Sequence, residues 1–538
     1  MLDETFIVEP KRDGCVRQIA CGESTFSASQ FGTALLAAAL LCLFYAGTIS
    51  QPFDFEDDGV FGYSASATGD ISGMFSAISN RTMDDFQTNG PFRPVIWAYF
   101  EIQSLLFATS AVARHFVRLG FLFASAMTFH LLLRQLRFST IVSFVVTLLC
   151  FTAPARASIW YRFGLTEGIA MPFVLFALLS AAKACESSRA LKWDLACIAC
   201  TMIALLTKNI FVAIFPALIL LRVWHAHESL FESLKKRGGR AVWICVPVVI
   251  PVIHFIAFRS LVQAHSSYRV TTPNLMTVLS MLRTCWIASG LEFLSVGVAL
   301  ALIAAIWSKE GRQYLWNREQ ARLAVLSCLT LLAGVAIYLP VLNSNGPAGR
   351  YTIPAVFGID IAMAVLLSAV LLTPSGLWRR MSLIAACIAF VGILGENLFS
   401  QRAFGARCNA LWELTERMTQ LPAGSQVDIQ AGSMSDAEAF HLESHVAGSG
   451  RRDIKIGRPE KSLKIDSSCE HFCVTRADAA SPGDFDLVNR IDIAGSADTL
   501  AAAFRKKSRR SFGVALWKRD ASQASTLQAA KPGKDVSR

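Results

Sequence analysis

Apolar residues run along this chain in long blocks, separated by short polar segments rich in Lys and Arg. The first block, Phe31 to Ile49, approaches the roughly 20 residues that an α-helix needs to cross a bilayer. Further blocks predict spans at about 115–136, 138–153, 166–182, 241–258, 291–308, 323–342, 352–372 and 381–399. A shorter pair, 194–207 and 209–221, flanks Lys208 and reads as two crossings or one re-entrant hairpin. Residues 94–109 are also apolar and are placed flat at the outer interface. From Ser400 the pattern changes. Helix-like stretches (405–420, 496–507) alternate with strand-like runs at 426–430, 453–456, 472–475 and 513–517, with turn residues between them.

The fold class expected is an α-helical polytopic membrane protein with 9–11 transmembrane helices and a small C-terminal soluble α/β domain. Residues 1–28 form a cytoplasmic N-terminal segment and 29–400 the transmembrane domain. Residues 401–519 form the soluble domain, on the outer face, and 520–538 a polar, disordered tail.

Composition agrees with this division. Of 538 residues, 53% are apolar and 17% charged, against about a quarter charged in ordinary soluble domains. The net charge of +11 does not form one patch, so no nucleic-acid partner is expected. It gathers in the connections placed on one side, such as Lys235, Lys236, Arg237 and Arg240, which predicts the N-terminus inside and the C-terminal domain outside. The Ala- and Arg-rich composition points to a bacterial inner membrane, with that domain in the periplasm. The fourteen cysteines lack metal-site spacing. An outer domain lies in an oxidising compartment, which predicts a Cys469–Cys473 bridge with Cys408 free.

Candidate chemistry concentrates in the first outer loop, 50–93. It carries Asp54, Glu56, Asp57, Asp58, Asp70, Asp84 and Asp85 against only Arg81 and Arg93. Carboxylates held at a membrane surface serve as a general base or bind a divalent cation such as Mg or Mn. The opposing reading is a solvated acidic loop braced by Arg93. Glu167 opens the span at 166–182, and Lys208 sits between two apolar half-helices, where it needs a phosphate or a carboxylate such as Glu167. Asp360, inside an apolar span, is expected to pair with another helix, and His130 and His254 to be satisfied core residues.

Taken in order, these elements resemble the GT-C superfamily of polytopic glycosyltransferases. The resemblance covers roughly residues 30–400. It rests on Asp57-Asp58 early in the loop after the first helix, an interfacial helix near 70–79, and Arg93-Pro94. It rests also on Trp160-Tyr161-Arg162-Phe163-Gly164 ahead of Glu167, on Lys208, and on Arg350-Tyr351-Thr352-Ile353-Pro354, similar to the R-Y-x-x-P element of such enzymes. The resemblance implies transfer of a sugar from a polyprenyl-phosphate donor to a glycan, lipid or protein acceptor at the outer face, among membrane lipids. Asp57 or Asp58 would be the base. Glu56, Asp84, Asp85, Arg93, Arg162, Glu167, Lys208, Arg350 and Tyr351 would bind substrate. Two other classes compete: a transporter or flippase of lipid-linked glycan, and a membrane anchor for the C-terminal domain. Transporters commonly show repeated halves and midplane charges. This chain shows no repeat and places its carboxylates in one loop.

Overall fold

The computed structural model describes residues 26–52, 71–89, 92–107, 110–162, 165–224, 230–250, 253, 275–338, 352–374, 376–429, 436–457, 471–476, 485–491 and 514–519. Helix α1, Ala28–Tyr45, opens on a capping box between Ser27 and Gln30, which satisfies backbone N–H groups that the helix itself leaves open. It buries a face of small residues, Ala34, Ala37 and Ala38, with Leu41 and Tyr45, so that neighbouring backbones come close, as bundles in lipid require. Helices α2 (Ile71–Asn89) and α3 (Pro94–Phe107) follow and pack on each other.

The central bundle continues with α4 (Ala111–Gln135), α5 (Thr140–Thr152), the short α6 (Pro154–Tyr161), α7 (Thr166–Glu186) and α8 (Ala190–Thr207). A 3₁₀ turn, Asn209–Ile214, leads into α9 (Phe215–Val223). The tight connection from α4 to α5 holds Arg137 at φ 66°. At that end Arg137 reaches Glu186, and Gln135 donates to Glu186 at 2.9 Å, tying the hairpin to α7. Asp194 and Arg222 form a bidentate pair at 2.6 and 3.0 Å, closing the hairpin of α8 and α9 at that same end. Its apex is Lys208.

Beyond lie α10 (Leu230–Ile244), α11 (Leu275–Ala288), α12 (Leu291–Trp307), α13 (Lys309–Leu315), α14 (Arg318–Tyr338) and α15 (Ile353–Leu372). Helices α11 and α12 meet at 85°, with Gly290 in the left-handed region at φ 74°. Helices α14 and α15 approach so closely that a Cβ on Gly358 would lie 2.3 Å from the Ser327 carbonyl oxygen.

Among the described residues, seven helices are long and apolar enough to cross a membrane, or eight with the bent pair. Nine to eleven were expected. The difference lies in Thr140–Thr152 and Asn209–Val223, which are apolar but short, and in 241–258. Of that last stretch, 241–244 is the end of α10, which begins earlier and carries Lys235, Lys236 and Arg237, and a 3₁₀ turn, Val246–Val248, follows it.

The last helix, α16, runs unbroken from Leu377 to Thr419, 43 residues. At 1.5 Å per residue this is about 65 Å, twice the hydrocarbon thickness of a bilayer. The boundary expected at 400 therefore falls inside a helix, and the stretch 405–420 is its final third. Leu411, Leu414 and Met418 leave the bundle and enter the core of the C-terminal sheet with Val427, Ile429, Leu442, Val446, Phe472, Val474 and Leu516.

That sheet has five strands: β1 (Gln426–Ile429), β2 (Lys455–Gly457), β3 (His471–Arg476), β4 (Phe485–Ile491) and β5 (Val514–Arg519), in the order β2-β1-β3-β5-β4. Strand β1 pairs in parallel with β2 and β3, whereas β5 runs antiparallel to β3 and β4. Helix α17 (Asp436–Gly448) connects β1 to β2. Cys473 lies in the middle of β3 between two partner strands and is a free, buried thiol. This corrects the expected Cys469–Cys473 bridge; Cys469, His254 and the stretch 496–507 lie outside the described residues. Cys408 is buried and not disulfide-bonded, as expected.

Candidate active site

Helix ends converge at the end of the bundle opposite the Asp194–Arg222 pair. They are the C-terminus of α1, the start of α4, the α5–α6–α7 connection, the apex at Lys208 and the stretch of α16 near 400. Their contacts define one rim. Glu167 stands in the first turn of α7, where the helix dipole favours a negative charge. It is buried, and Lys208 Nζ lies 3.2 Å from its Oε1. Lys208 has an extended backbone that breaks the helical path after Thr207, which places the ammonium at the rim rather than along a helix face.

Arg118 is fully buried. It donates through Nε and Nη2 to the carbonyl of Arg162 at 3.1 and 2.6 Å, and through Nη2 to that of Leu165 at 2.9 Å. It thereby ties the end of α6 at Arg162 to the start of α7 at Leu165, next to Glu167. Its close fit against Gly168 leaves no room for a Cβ there. The Arg162 guanidinium lies over the Phe404 ring at 5.2 Å, and Tyr161 packs on the same ring at 5.0 Å. Arg114 is buried beside Ser104 of α3.

The start of the acidic loop is anchored here as well. Gln51 Nε2 donates to the Gln401 carbonyl at 3.2 Å, and the Gln51 carbonyl lies 3.1 Å from His115 Nε2. Glu56, Asp57 and Asp58 follow Gln51 by five to seven positions and, with Arg350 and Tyr351, lie outside the described residues. At the far end of the loop, Arg93 grips Asp85 with two hydrogen bonds of 2.9 Å, and Trp97 Nε1 adds a third at 3.2 Å. Asp85 is buried in this brace, whereas Asp84 beside it is exposed. The helix here runs Ile71–Asn89, well past the expected 70–79. Arg81, on the same helix, pairs with the buried Glu101 at 2.9 Å.

The structure thus brings Arg162, Glu167 and Lys208 to one rim and places Asp85 and Arg93 in a mutual brace. Asp360 finds the partner helix expected of it. It holds Arg156 of α6 in a bidentate pair, one bond being 2.7 Å, with both side chains buried. His130 is buried, 3.2 Å from the Thr33 hydroxyl. Arg114, Arg118 and Arg156 are not among the residues that the sequence motifs single out. The signal that could have found them is the presence of arginine within or beside an apolar span, where it is costly.

Among the described residues no three metal-ligating side chains cluster. The two carboxylates nearest the predicted chemistry, Asp85 and Glu167, are matched by Arg93 and Lys208.

No family model matches the chain, and no curated protein matches it. Several solved structures are similar, three of them as follows. ArnT from Cupriavidus metallidurans bound to undecaprenyl phosphate shares 14% identity at a TM-score of 0.47, covering 94% of this chain and all of that one. The apo state of the same protein gives 16% and 0.38 over the same extents. The archaeal oligosaccharyltransferase AglB from Archaeoglobus fulgidus, solved with an inhibitory peptide and a dolichol-phosphate, gives 11% and 0.43, covering 84% of this chain and 70% of that one. At TM-scores below 0.5, no residue role, acceptor or mechanism carries over from them.

Proposed function

We propose that this protein is an integral-membrane glycosyltransferase of GT-C type that moves a sugar from a polyprenyl-phosphate donor to an acceptor at the outer membrane face. The observation that carries the reading is the rim itself. Lys208, Arg162 and the buried Arg118 gather at one end of an apolar bundle, beside the point where the acidic loop begins. A lipid-linked sugar phosphate needs a greasy flank for its tail and cations for its phosphate, and this end supplies both. The acidic segment supplies the complementary base.

In the proposed reaction, Asp57 or Asp58 takes the proton of an acceptor hydroxyl as its oxygen attacks the anomeric carbon. The bond from that carbon to the phosphate oxygen breaks, inverting the centre and releasing polyprenyl phosphate. Lys208, held by Glu167, together with Arg350 and Tyr351 beside the start of α15, binds the leaving phosphate by charge-assisted hydrogen bonds. Arg162 lines the same rim. The same reading gives Glu56 and Asp84 to acceptor binding, while Asp85 and Arg93 hold the loop's far end. Any divalent cation would fall to the carboxylates at 54–58, and no step here depends on it.

The orientation is part of the proposal, with the N-terminus and the α4–α5 turn inside, and the rim and the sheet outside. A reporter that matures only outside the membrane should be active when fused after Gln420 and silent after Arg240. The reverse pattern would place the chemistry on the wrong face and overturn the reading.

A further inference from the structure

A continuous line of hydrogen bonds joins the membrane core to the root of the acidic loop, and it runs along α16. Tyr45 is fully buried. Its hydroxyl donates to the Phe151 carbonyl at 2.8 Å and accepts from Asn397 Nδ2 at 2.9 Å. Gln401, one turn on, donates through Nε2 to Asn397 Oδ1 at 3.1 Å. The Gln401 carbonyl accepts from Gln51, whose own carbonyl meets His115. Both Asn397 and Gln401 are buried. One further turn along α16, Gly405 makes room for the Gln51 side chain. A Cβ at that position would stand 2.6 Å from Gln51 Nε2 and 2.9 Å from its Cδ.

Burying two amides inside an apolar bundle is costly unless each finds partners. A line so placed specifies one arrangement of α1 against α16. The same helix continues as a rod of about 25 Å from Gln401 to Met418, where it forms part of the sheet core. The network's endpoint is the backbone of Gln51, just before the chain enters the carboxylate segment.

We propose that Asn397, Gln401 and Gly405 form a clasp on Gln51 that positions the acidic loop, so that α16 sets the placement of the reacting carboxylates. They act as positioning residues, without contact to substrate. The proposal rests on the glycosyltransferase reading for what the loop does, but the clasp itself has a readout apart from activity.

The test uses full-length protein in detergent or proteoliposomes and three variants: Gly405→Ala, Gln51→Ala and the two combined. Alanine is a better helix former than glycine, so Gly405→Ala keeps α16 formed while displacing Gln51. Small misplacements of reacting groups cost up to about 100-fold in rate. The expected result is a fall in kcat of about 10- to 100-fold in each single variant, with donor KM within about twofold. The double variant should match Gln51→Ala alone, because both changes act through one contact. Amides Ile49 and Gln51, which close the 3₁₀ turn after α1, should exchange hydrogen faster in every variant. Unchanged exchange, or single-variant losses that multiply in the double, would overturn the clasp. Faster exchange beside a wild type inert toward every polyprenyl-phosphate sugar would sustain the clasp and sink the transferase reading instead.

Discussion

Replacing Asp360 by Leu should destabilise the bundle severely, and a second substitution should largely repair it. Arg156 and Asp360 sit on α6 and α15, 204 residues apart in sequence, and bury both charged groups in a bidentate pair. Their side chains are 2% and 8% exposed, so neither recovers hydration when the other is removed. Breaking a buried pair costs about 3–5 kcal/mol, chiefly because the surviving charge is stranded. Arg156 keeps only its bond to the Cys150 sulfur at 2.7 Å, a weak acceptor. At roughly 2 °C per kcal/mol for a long chain, the apparent Tm in detergent should fall by about 6–10 °C. The double variant Arg156→Met, Asp360→Leu removes both charges and fills similar volume, so it should return to within about 3 °C of wild type. The assay is loss of monodisperse protein on heating, followed by size-exclusion chromatography. A double variant as unstable as Asp360→Leu would refute the reasoning, since the loss could not then come from a stranded charge.

Three further outcomes follow from the same structure. Lys208→Met should raise KM for the lipid donor at least about tenfold, the worth of one charge-assisted hydrogen bond; an unchanged donor KM would remove Lys208 from the phosphate site. In the sheet domain, Asp453 accepts from Arg451 and from the Gly424 amide, which hold its carboxyl well below the usual carboxylate range. A lowered folded value stabilises above the unfolded value of about 3.9 and is lost as pH falls through the folded one. Asp453→Asn should therefore lower thermal stability at pH 7, with the gap to wild type narrowing below about pH 4; a gap independent of pH would contradict it. Burial pushes the Cys473 thiol up to about 11, so it should resist alkylation at pH 8 in folded protein and react once unfolded. Rapid labelling of the native thiol, or a mass showing it disulfide-bonded, would contradict its place in β3.

The sequence made the spans legible because apolarity is a local signal. Phe31–Ile49 corresponds to Ala28–Tyr45 and its 3₁₀ turn, and 352–372 to Ile353–Leu372. It misled where composition changes but backbone does not. Around Ser400 the residues turn polar, yet Asn397, Gln401, Gly405, Cys408 and Leu411 keep helical spacing along one buried face. That face was hidden because its partners, Tyr45 and Gln51, lie some 350 residues away. Strand β4 escaped because its side chains face water in part, Leu487 and Val488 being about half exposed.

At the site, local pairings were the legible ones. The Arg93-Pro94 element suggests a brace for the acidic loop, and Lys208 between two apolar half-helices calls for a phosphate or a carboxylate such as Glu167. That Asp360 needed a partner was also evident from its place in an apolar helix. That the partner is Arg156 was not, because nothing in the order of the chain brings α6 against α15. Likewise nothing local in the sequence marks Arg118, whose guanidinium binds the carbonyls of Arg162 and Leu165 just ahead of Glu167.

The central claim is that the bond between sugar and phosphate is broken at this protein. The direct measurement places purified protein in liposomes with a polyprenyl-phosphate sugar, labelled in both sugar and lipid, and an envelope extract as acceptor. Product analysis then follows the two labels separately. The account predicts that they part company: polyprenyl phosphate accumulates, the sugar appears on an acceptor with inverted anomeric configuration, and Asp57→Asn with Asp58→Asn abolishes both. Donor that crosses the bilayer with both labels still joined, and is never cleaved, would contradict the account and point to a flippase.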